Sequence, residues 1–243
     1  TVDGSGVVTT AGRIDREVAS QYNLVIDASD EGQPPMSNVV NVSILITDVN
    51  DNAPVFSRPA YQVSVYENIS SSMALVQLLA TDADVGSNAA IVYSVLSVSS
   101  GGRFQLNTTS GQLTVTPPLD REQVDAYHIV VEASDQGHPQ QRTSVNVTVD
   151  VLDVNDNSPL FSPSLFTFNI TENNAGGAAI GTVTADDLDA GSNGRVRYRL
   201  VSSAHSSQFV LDPVSGVLRA NVAFNREVIP SYLLDVEASD EGS

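Results

Sequence analysis

Along this chain apolar and polar residues alternate over short stretches, each closed by glycine, asparagine, serine or proline. Between residues 61 and 152 seven such runs follow one another: YQVSVYE (61–67), ALVQLLATD (74–82), IVYSVLS (91–97), RFQL (103–106), QLTVT (112–116), AYHIVVEAS (126–134) and RTSVNVTVDVL (142–152). A two-residue period rich in Val, Ile, Leu and Tyr predicts half-buried strands. The intervening GSN, SSGG and TTSG are turn chemistry. No stretch carries a helical period. Seven short strands in about 100 residues predict an all-β fold, a Greek-key β-sandwich of the immunoglobulin-like kind.

The pattern repeats. Asp48 returns at Asp153 and Glu67 at Glu172, both 105 residues on. IDRE (14–17), LDRE (119–122) and FNRE (224–227) share that interval, as do ASDEG (28–32), ASDQG (133–137) and ASDEG (238–242). TDADVGSN (81–88) matches DDLDAGSN (186–193). Self-similarity at a fixed interval marks tandem structural units. Three segments follow from it: 1–54, the second half of a unit; 55–159, a whole unit; and 160–243, a unit that stops before its last strand. An odd number of strands puts the ends of each unit at opposite poles, so the units are expected to form a head-to-tail rod.

Composition narrows the function. There are 29 acidic residues against 11 basic ones, all arginine, for a formal charge of −18. Nucleic-acid binding needs clustered positive charge and is not served here. The negative charge forms no long run; it sits in small clusters at the predicted strand ends. Glu67 ends the first strand, Asp82 and Asp84 follow the second, Asp120 and Glu122 the fifth, and Asp135 the sixth. DVNDNAP (48–54) and DVNDNSP (153–159) join one unit to the next. In an extended linker Asp48 and Asn50 face one way and Asp51 the other, so one linker serves two sides.

Carboxylates, asparagine amides and carbonyls are hard oxygen ligands. With no cysteine and three scattered histidines, the donor set suits calcium rather than zinc or copper. Two like charges about 4 Å apart repel by about 4 kcal/mol at an effective dielectric near 20, so a pocket of such groups closes only around cations. Five N-x-S/T sequons, at Asn41, Asn68, Asn107, Asn146 and Asn169, point to a secreted or ectodomain segment. No apolar run approaches the roughly 18 residues of a spanning helix, and TVDGSG has no signal-peptide pattern. Any membrane anchor is expected outside these residues.

Other readings of the acidic groups fail. An EF-hand loop starting at Asp82 or Asp187 would need glutamate at its twelfth position, where Tyr93 and Tyr198 stand. Asp120 and Glu122, about 7 Å apart in a strand, resemble a glycosidase pair, but the pair recurs in each unit without a unique cleft. No enzyme is expected. His128, His138 and His205 lack repeat counterparts and read as ordinary strand and loop residues. Tyr61, Tyr93, Tyr127 and Phe104 read as packing, and Arg16, Arg121 and Arg226 as braces for neighbouring carboxylates or backbone.

Taken together, DxNDNxP, LDRE, ASDxG, DxDxGSN and the glutamate of YEN resemble extracellular cadherin repeats over essentially the whole chain. DADVGSN and EASDQG look most like the Fat, Dachsous and protocadherin group. The resemblance implies about three calcium ions at each complete linker, held by oxygen ligands. For the second linker it implies the side chains of Glu67, Asp120, Glu122, Asp153, Asn155, Asp156, Asp187, Asp189 and Asp240, with the carbonyls of Val154, Asn157 and Asn193. For the first it implies Asp15, Glu17, Asp48, Asn50, Asp51, Asp82, Asp84 and Asp135, with the carbonyls of Val49, Asn52 and Asn88. The first linker's strand-end glutamate would precede residue 1, so that site is expected to be incomplete. Asp30, Glu172 and Glu227 would serve further linkers, and Asn225, where the pattern has aspartate, implies a weaker site there. The implied role is calcium-dependent cell–cell adhesion at the extracellular side of the plasma membrane, with another cadherin ectodomain as partner. The alternative is a passive spacer or tension-bearing rod. No tryptophan is present for the strand exchange of type I and II cadherins.

Overall fold

A computed structural model describes residues 1–69, 73–101, 103–116 and 119–242. Its strands are β1 (Gln21–Ser29), β2 (Ser37–Leu45), β3 (Val55–Phe56), β4 (Ala60–Tyr66), β5 (Ala74–Gln77) and β6 (Ala80–Thr81). Then come β7 (Val92–Val98), β8 (Phe104–Leu106), β9 (Gln112–Val115), β10 (Ala126–Ser134) and β11 (Arg142–Leu152). The last are β12 (Leu160–Phe161), β13 (Ala179–Thr182), β14 (Ala185–Asp186), β15 (Arg197–Leu200), β16 (Phe209–Leu211), β17 (Val217–Ala220) and β18 (Val236–Ser239). The chain divides into two compact units, Thr1–Val63 with Ser71–Pro117 and Tyr127–Val149, and Ser64–Ser70 with Pro118–Ala126 and Asp150–Ser243.

The seven predicted strands of the middle repeat are present, with one difference. The run at 74–82 breaks at Leu78–Leu79: β5 pairs with β9, whereas β6 pairs with β3. One sheet runs β4-β11-β10-β7 and another β5-β9-β8. Alternation decides which side chains go inward: Tyr127, Ile129, Val131 and Ala133 on β10, and Val145, Val147, Val149 and Val151 on β11, are buried. Phe104 on β8 meets Tyr127 edge-on, with ring centroids 5.0 Å apart, which brings the two sheets into contact. Leu78, Leu113 and Val115 are fully buried between them.

Two tyrosines a repeat apart pin the break in the second strand. Tyr93 Oη accepts from the Ala80 amide at 2.8 Å, and Tyr198 Oη from Ala185 at 3.0 Å. Beside them, Asn107 Oδ1 accepts from Thr109 and Ser110 amides, and Asp212 Oδ1 from Val214 and Ser215, forming matching Asx turns. Each turn ends on a left-handed glycine, Gly111 (φ +73°) and Gly216 (φ +67°). A Cβ on Gly111 would lie 2.5 Å from the Leu78 carbonyl oxygen and 3.1 Å from the Tyr93 ring.

The earlier repeat contributes the β1–β2 hairpin, in register from Gln21↔Leu45 to Ser29↔Ser37. In the last repeat β15 pairs with β18 and β13-β17-β16 form a sheet. Phe209, Leu218, Ala220 and Phe224 make its core. Residues 165–171, which correspond to β4, carry no strand. A cavity of about 720 Å³ lies there, lined by Phe166, Phe168, Ile170, Phe209, Phe224 and Tyr232 among others. In the middle repeat β11 fills the lane beside β4.

Gly86 and Gly111 share a left-handed backbone and differ in their surroundings, since a Cβ on Gly86 (φ +63°) meets nothing within 4 Å. Gly86→Ala is expected to cost about 1 kcal/mol from backbone strain alone. Gly111→Ala adds the collision with Leu78 and should cost at least about twice as much. Urea unfolding followed by far-UV circular dichroism checks both.

Candidate metal centre

Each DVNDN segment makes a tight turn rather than a plainly extended run: the Asp51 amide bonds the Val49 carbonyl, and Asp156 bonds Val154, both at 2.8 Å. The turn sends successive side chains in different directions. In the first unit, Asp48 Oδ2 accepts from the Val85 amide (3.2 Å) and from Asn88 Nδ2 (2.8 Å). Asn50 reaches Asp135 Oδ2 (3.1 Å) and the Pro139 carbonyl (2.6 Å). Asn52 Nδ2 donates to Asp51 Oδ1 (2.9 Å) and Asp84 Oδ1 (2.8 Å). Asp84 in turn donates its amide to Asp82 Oδ1 at 3.0 Å.

The second unit writes the same arrangement 105 residues later. Ala190 and Asn193 donate to Asp153, Asn155 to Asp240, Asn157 to Asp156 and Asp189, and the Asp189 amide to Asp187. Here the strand-end glutamate is present as well. Glu67 is 2 % exposed; its Oε2 accepts from the Arg121 amide at 2.7 Å and its Oε1 from the Val154 amide at 2.8 Å. Two hydrogen bonds to backbone hold a buried carboxylate.

Oxygens from Glu67, Glu122 and Asp153 converge within 4.8 Å of one another, as do those of Glu122, Asp156 and Asp189. In the first unit Glu17, Asp48 and Asp84 converge in the same way. Asp120 lines a small hollow with Glu122, Asp156 and Asn157. Its carboxylate faces its own turn, accepting from the Gln123 amide and side chain, and Asp15 likewise accepts from Glu17 and Val18 amides. Asn225 Oδ1 makes those same two backbone bonds, to Glu227 and Val228.

The crowding shows in the electrostatics. Burial, then the neighbouring Glu67 charge, raises the Glu122 carboxyl above its ordinary range. Asp156 is raised by burial and then by Glu67, Asp189, Asp120 and Asp153. Asp82 is raised by burial, with Asp84 and Asp135 adding to it. Asp48 goes the other way: burial is its largest influence, yet the bonds from Asn88 and Val85 and the Arg16 charge together outweigh it. Arg16 bridges Glu17 and Asp48, and Arg121 bridges Glu122 and Asp153, so both act as braces. Arg16 also donates to the Ala83 carbonyl and Arg121 to Leu188.

Among the described residues, five buried side-chain oxygens make no hydrogen bond: Asp48 Oδ1, Asn50 Oδ1, Asp82 Oδ2, Asn155 Oδ1 and Asp187 Oδ2. Asp48 Oδ1 still faces Arg16 Nε at 2.5 Å as an ion pair. The other four are two repeat-related pairs, 50 with 155 and 82 with 187. Buried oxygens without donors are costly, and the same unpaired oxygens at both linkers suit an electrophilic partner. A hard dication fits this donor set. The ASDxG glycines belong to the same construction: a Cβ on Gly137 would lie 2.4 Å from Asn50 Nδ2 and 2.5 Å from Asn88 Oδ1. On Gly242 it would lie 2.5 Å from Asn155 Nδ2 and 2.6 Å from Asn193 Oδ1. Their motif was visible in the sequence, but not their role as clearance for the two asparagines.

A family model described as Cadherin domain matches residues 1–47, 61–152 and 166–243. Protocadherin Fat 4 of Mus musculus is 40% identical over 245 residues, which take in 100% of this chain and 5% of that protein. Cadherin EGF LAG seven-pass G-type receptor 2 of Mus musculus is 41% identical over 236 residues, 97% of this chain and 8% of that protein. The chain thus spans a small part of these relatives. Among solved structures, mouse Cadherin-23 EC22-24 superposes with a TM-score of 0.81 at 34% identity, covering 94% of this chain and 72% of that one. The Protocadherin gammaB7 EC3-6 cis-dimer structure gives 0.83 at 30% identity, over 96% and 58%. With motif order, all-β architecture and family match in agreement along most of its length, the chain belongs to the cadherin family.

Proposed function

We propose that this chain is a calcium-binding segment of an adhesion ectodomain, lying on the extracellular side of the plasma membrane. Residues 1–54, 55–159 and 160–243 are its successive repeats or parts of repeats. Calcium sits at the two DVNDN linkers, about three ions at the complete one, in shells of six to eight oxygens. At the second linker the ligands are Glu67, Asp120, Glu122, Asp153, Asn155, Asp156, Asp187, Asp189 and Asp240, with the carbonyls of Val154, Asn157 and Asn193. At the first they are Asp15, Glu17, Asp48, Asn50, Asp51, Asp82, Asp84 and Asp135, with the carbonyls of Val49, Asn52 and Asn88. The observation that carries this reading is the pair of donorless oxygens repeated at Asn50/Asn155 and Asp82/Asp187. The ions are structural: they neutralise the carboxylates and stiffen the joints. The partner is another cadherin ectodomain, of the same or a related kind, and no catalytic step is involved.

Equilibrium dialysis with a calcium isotope tests the site. The chain should take up calcium between micromolar and millimolar concentration, and an empty chain at millimolar calcium sinks the reading. Asp156→Ala removes a ligand from the second linker and should weaken uptake there at least about tenfold. Its far-UV dichroism should stay unchanged. Beads coated with the chain should cluster in calcium and disperse in chelator; calcium uptake without clustering would favour the spacer role.

Proton competition gives an independent check. Without cations, Glu122, Asp156 and Asp82 have raised folded-state pKa values. Their contribution to stability is therefore present below the ordinary carboxylate value and lost as pH rises through the raised one. Calcium reverses this by favouring the charged forms, so protons displace it as pH falls through the same window. The melting-temperature gain from calcium should shrink as pH falls from 7 through the carboxylate range, measured by calorimetry in calcium and in chelator. A gain that stays constant throughout that fall would place the ions elsewhere.

A further inference from the structure

We propose that Asn41 and Asn146 both carry N-linked glycans, which cover the outer faces of the β1–β2 and β10–β11 strand pairs. The inference rests on the extracellular reading above. Asn41-Val42-Ser43 lies on β2 and Asn146-Val147-Thr148 on β11, 105 residues apart. In a strand the asparagine and the hydroxyl residue two places on share one face, and the residue between them points to the other. The structure follows that rule: Asn41, Ser43 and Asn146 are exposed and Thr148 half-buried, while Val147 is fully buried and Val42 partly so. A bulky sugar is therefore accommodated without moving the core.

One further observation separates these sites from the linker asparagines. Among the described residues, neither amide makes a side-chain hydrogen bond, whereas Asn50, Asn52, Asn88, Asn155, Asn157 and Asn193 are all engaged in the acidic clusters. Asn107, also in a sequon, caps a turn with its oxygen.

The donor is an oligosaccharide linked through pyrophosphate to a lipid. Asparagine Nδ2 forms a bond to the anomeric carbon as that carbon's bond to the pyrophosphate oxygen breaks. The bonding pair leaves with the lipid pyrophosphate, and the amide proton passes to a base on the transferase. Transfer precedes folding, so the folded strand only has to tolerate the product.

The test is secretion of the 243-residue chain behind a signal peptide from mammalian cells. Peptide N-glycosidase in ¹⁸O-water converts each glycosylated asparagine to labelled aspartate, and peptide mass spectrometry locates it. Label at both 41 and 146 is expected. Ser43→Ala and Thr148→Ala should each remove one glycan's step in gel mobility, and Asn41→Gln and Asn146→Gln should do the same. Far-UV dichroism should be unchanged in all four. A secreted chain with either position unlabelled overturns the proposal. Calcium uptake by that same chain tells which claim failed: uptake with no label sinks the glycans alone, and no uptake sinks the extracellular reading beneath them.

Discussion

Everything at the strand ends depends on the mutual repulsion of carboxylates drawn into one place. Glu67, Glu122 and Asp153 bring oxygens within 4.8 Å of one another, and Glu122 does so again with Asp156 and Asp189. At such separations like charges oppose folding unless something positive stands between, less so where a partner such as Asp156 is exposed to solvent. The protein supplies part of that charge itself, through Arg121 on Glu122 and Asp153 and backbone amides on Glu67. The supply falls short: Glu67, Glu122, Asp153, Asp156 and Asp189 are brought together against Arg121. The excess is of the kind that cations from solution offset, and calcium is proposed there for that reason.

The sandwich makes the gathering possible. Strands packed by alternating valines end together at a pole, and each end delivers one motif there. Small residues then allow the approach: Gly137 and Gly242 leave room where Asn50 with Asn88, and Asn155 with Asn193, come close. Asp135, with no exposed surface, is tolerated because Asn50 Nδ2 and the amides of Gly137 and Gln141 all donate to it. Core, clearance and charge are one construction.

Much of this was legible in the sequence because the same physics was written at a fixed interval. The seven strands were visible from period-two alternation, and the acidic residues from their place after each strand. The break at Leu78–Leu79 was not, because apolar side chains continue across it while the backbone changes partners from β9 to β3. Nor was the turn within DVNDN, which an extended reading misses because only the backbone bond from Asp51 to Val49 creates it. Asp15 and Asp120 were read as ligands from their motif alone. Their carboxylates also close the local turn, a duty that spacing does not reveal. The donorless oxygens needed the full three-dimensional count of hydrogen bonds.

Asn225 shows how those two duties come apart. Its side-chain oxygen accepts from the amides of Glu227 and Val228, as Asp15 accepts from Glu17 and Val18. Glu172 accepts from the Arg226 amide at 3.1 Å, as Glu67 does from Arg121. The turn is therefore kept intact by an amide, since a capping oxygen need not be charged. What the amide lacks is the negative charge that a dication would neutralise. Geometry at this pole is preserved while its field is weakened, so repeats of one shape need not present cations with one field strength.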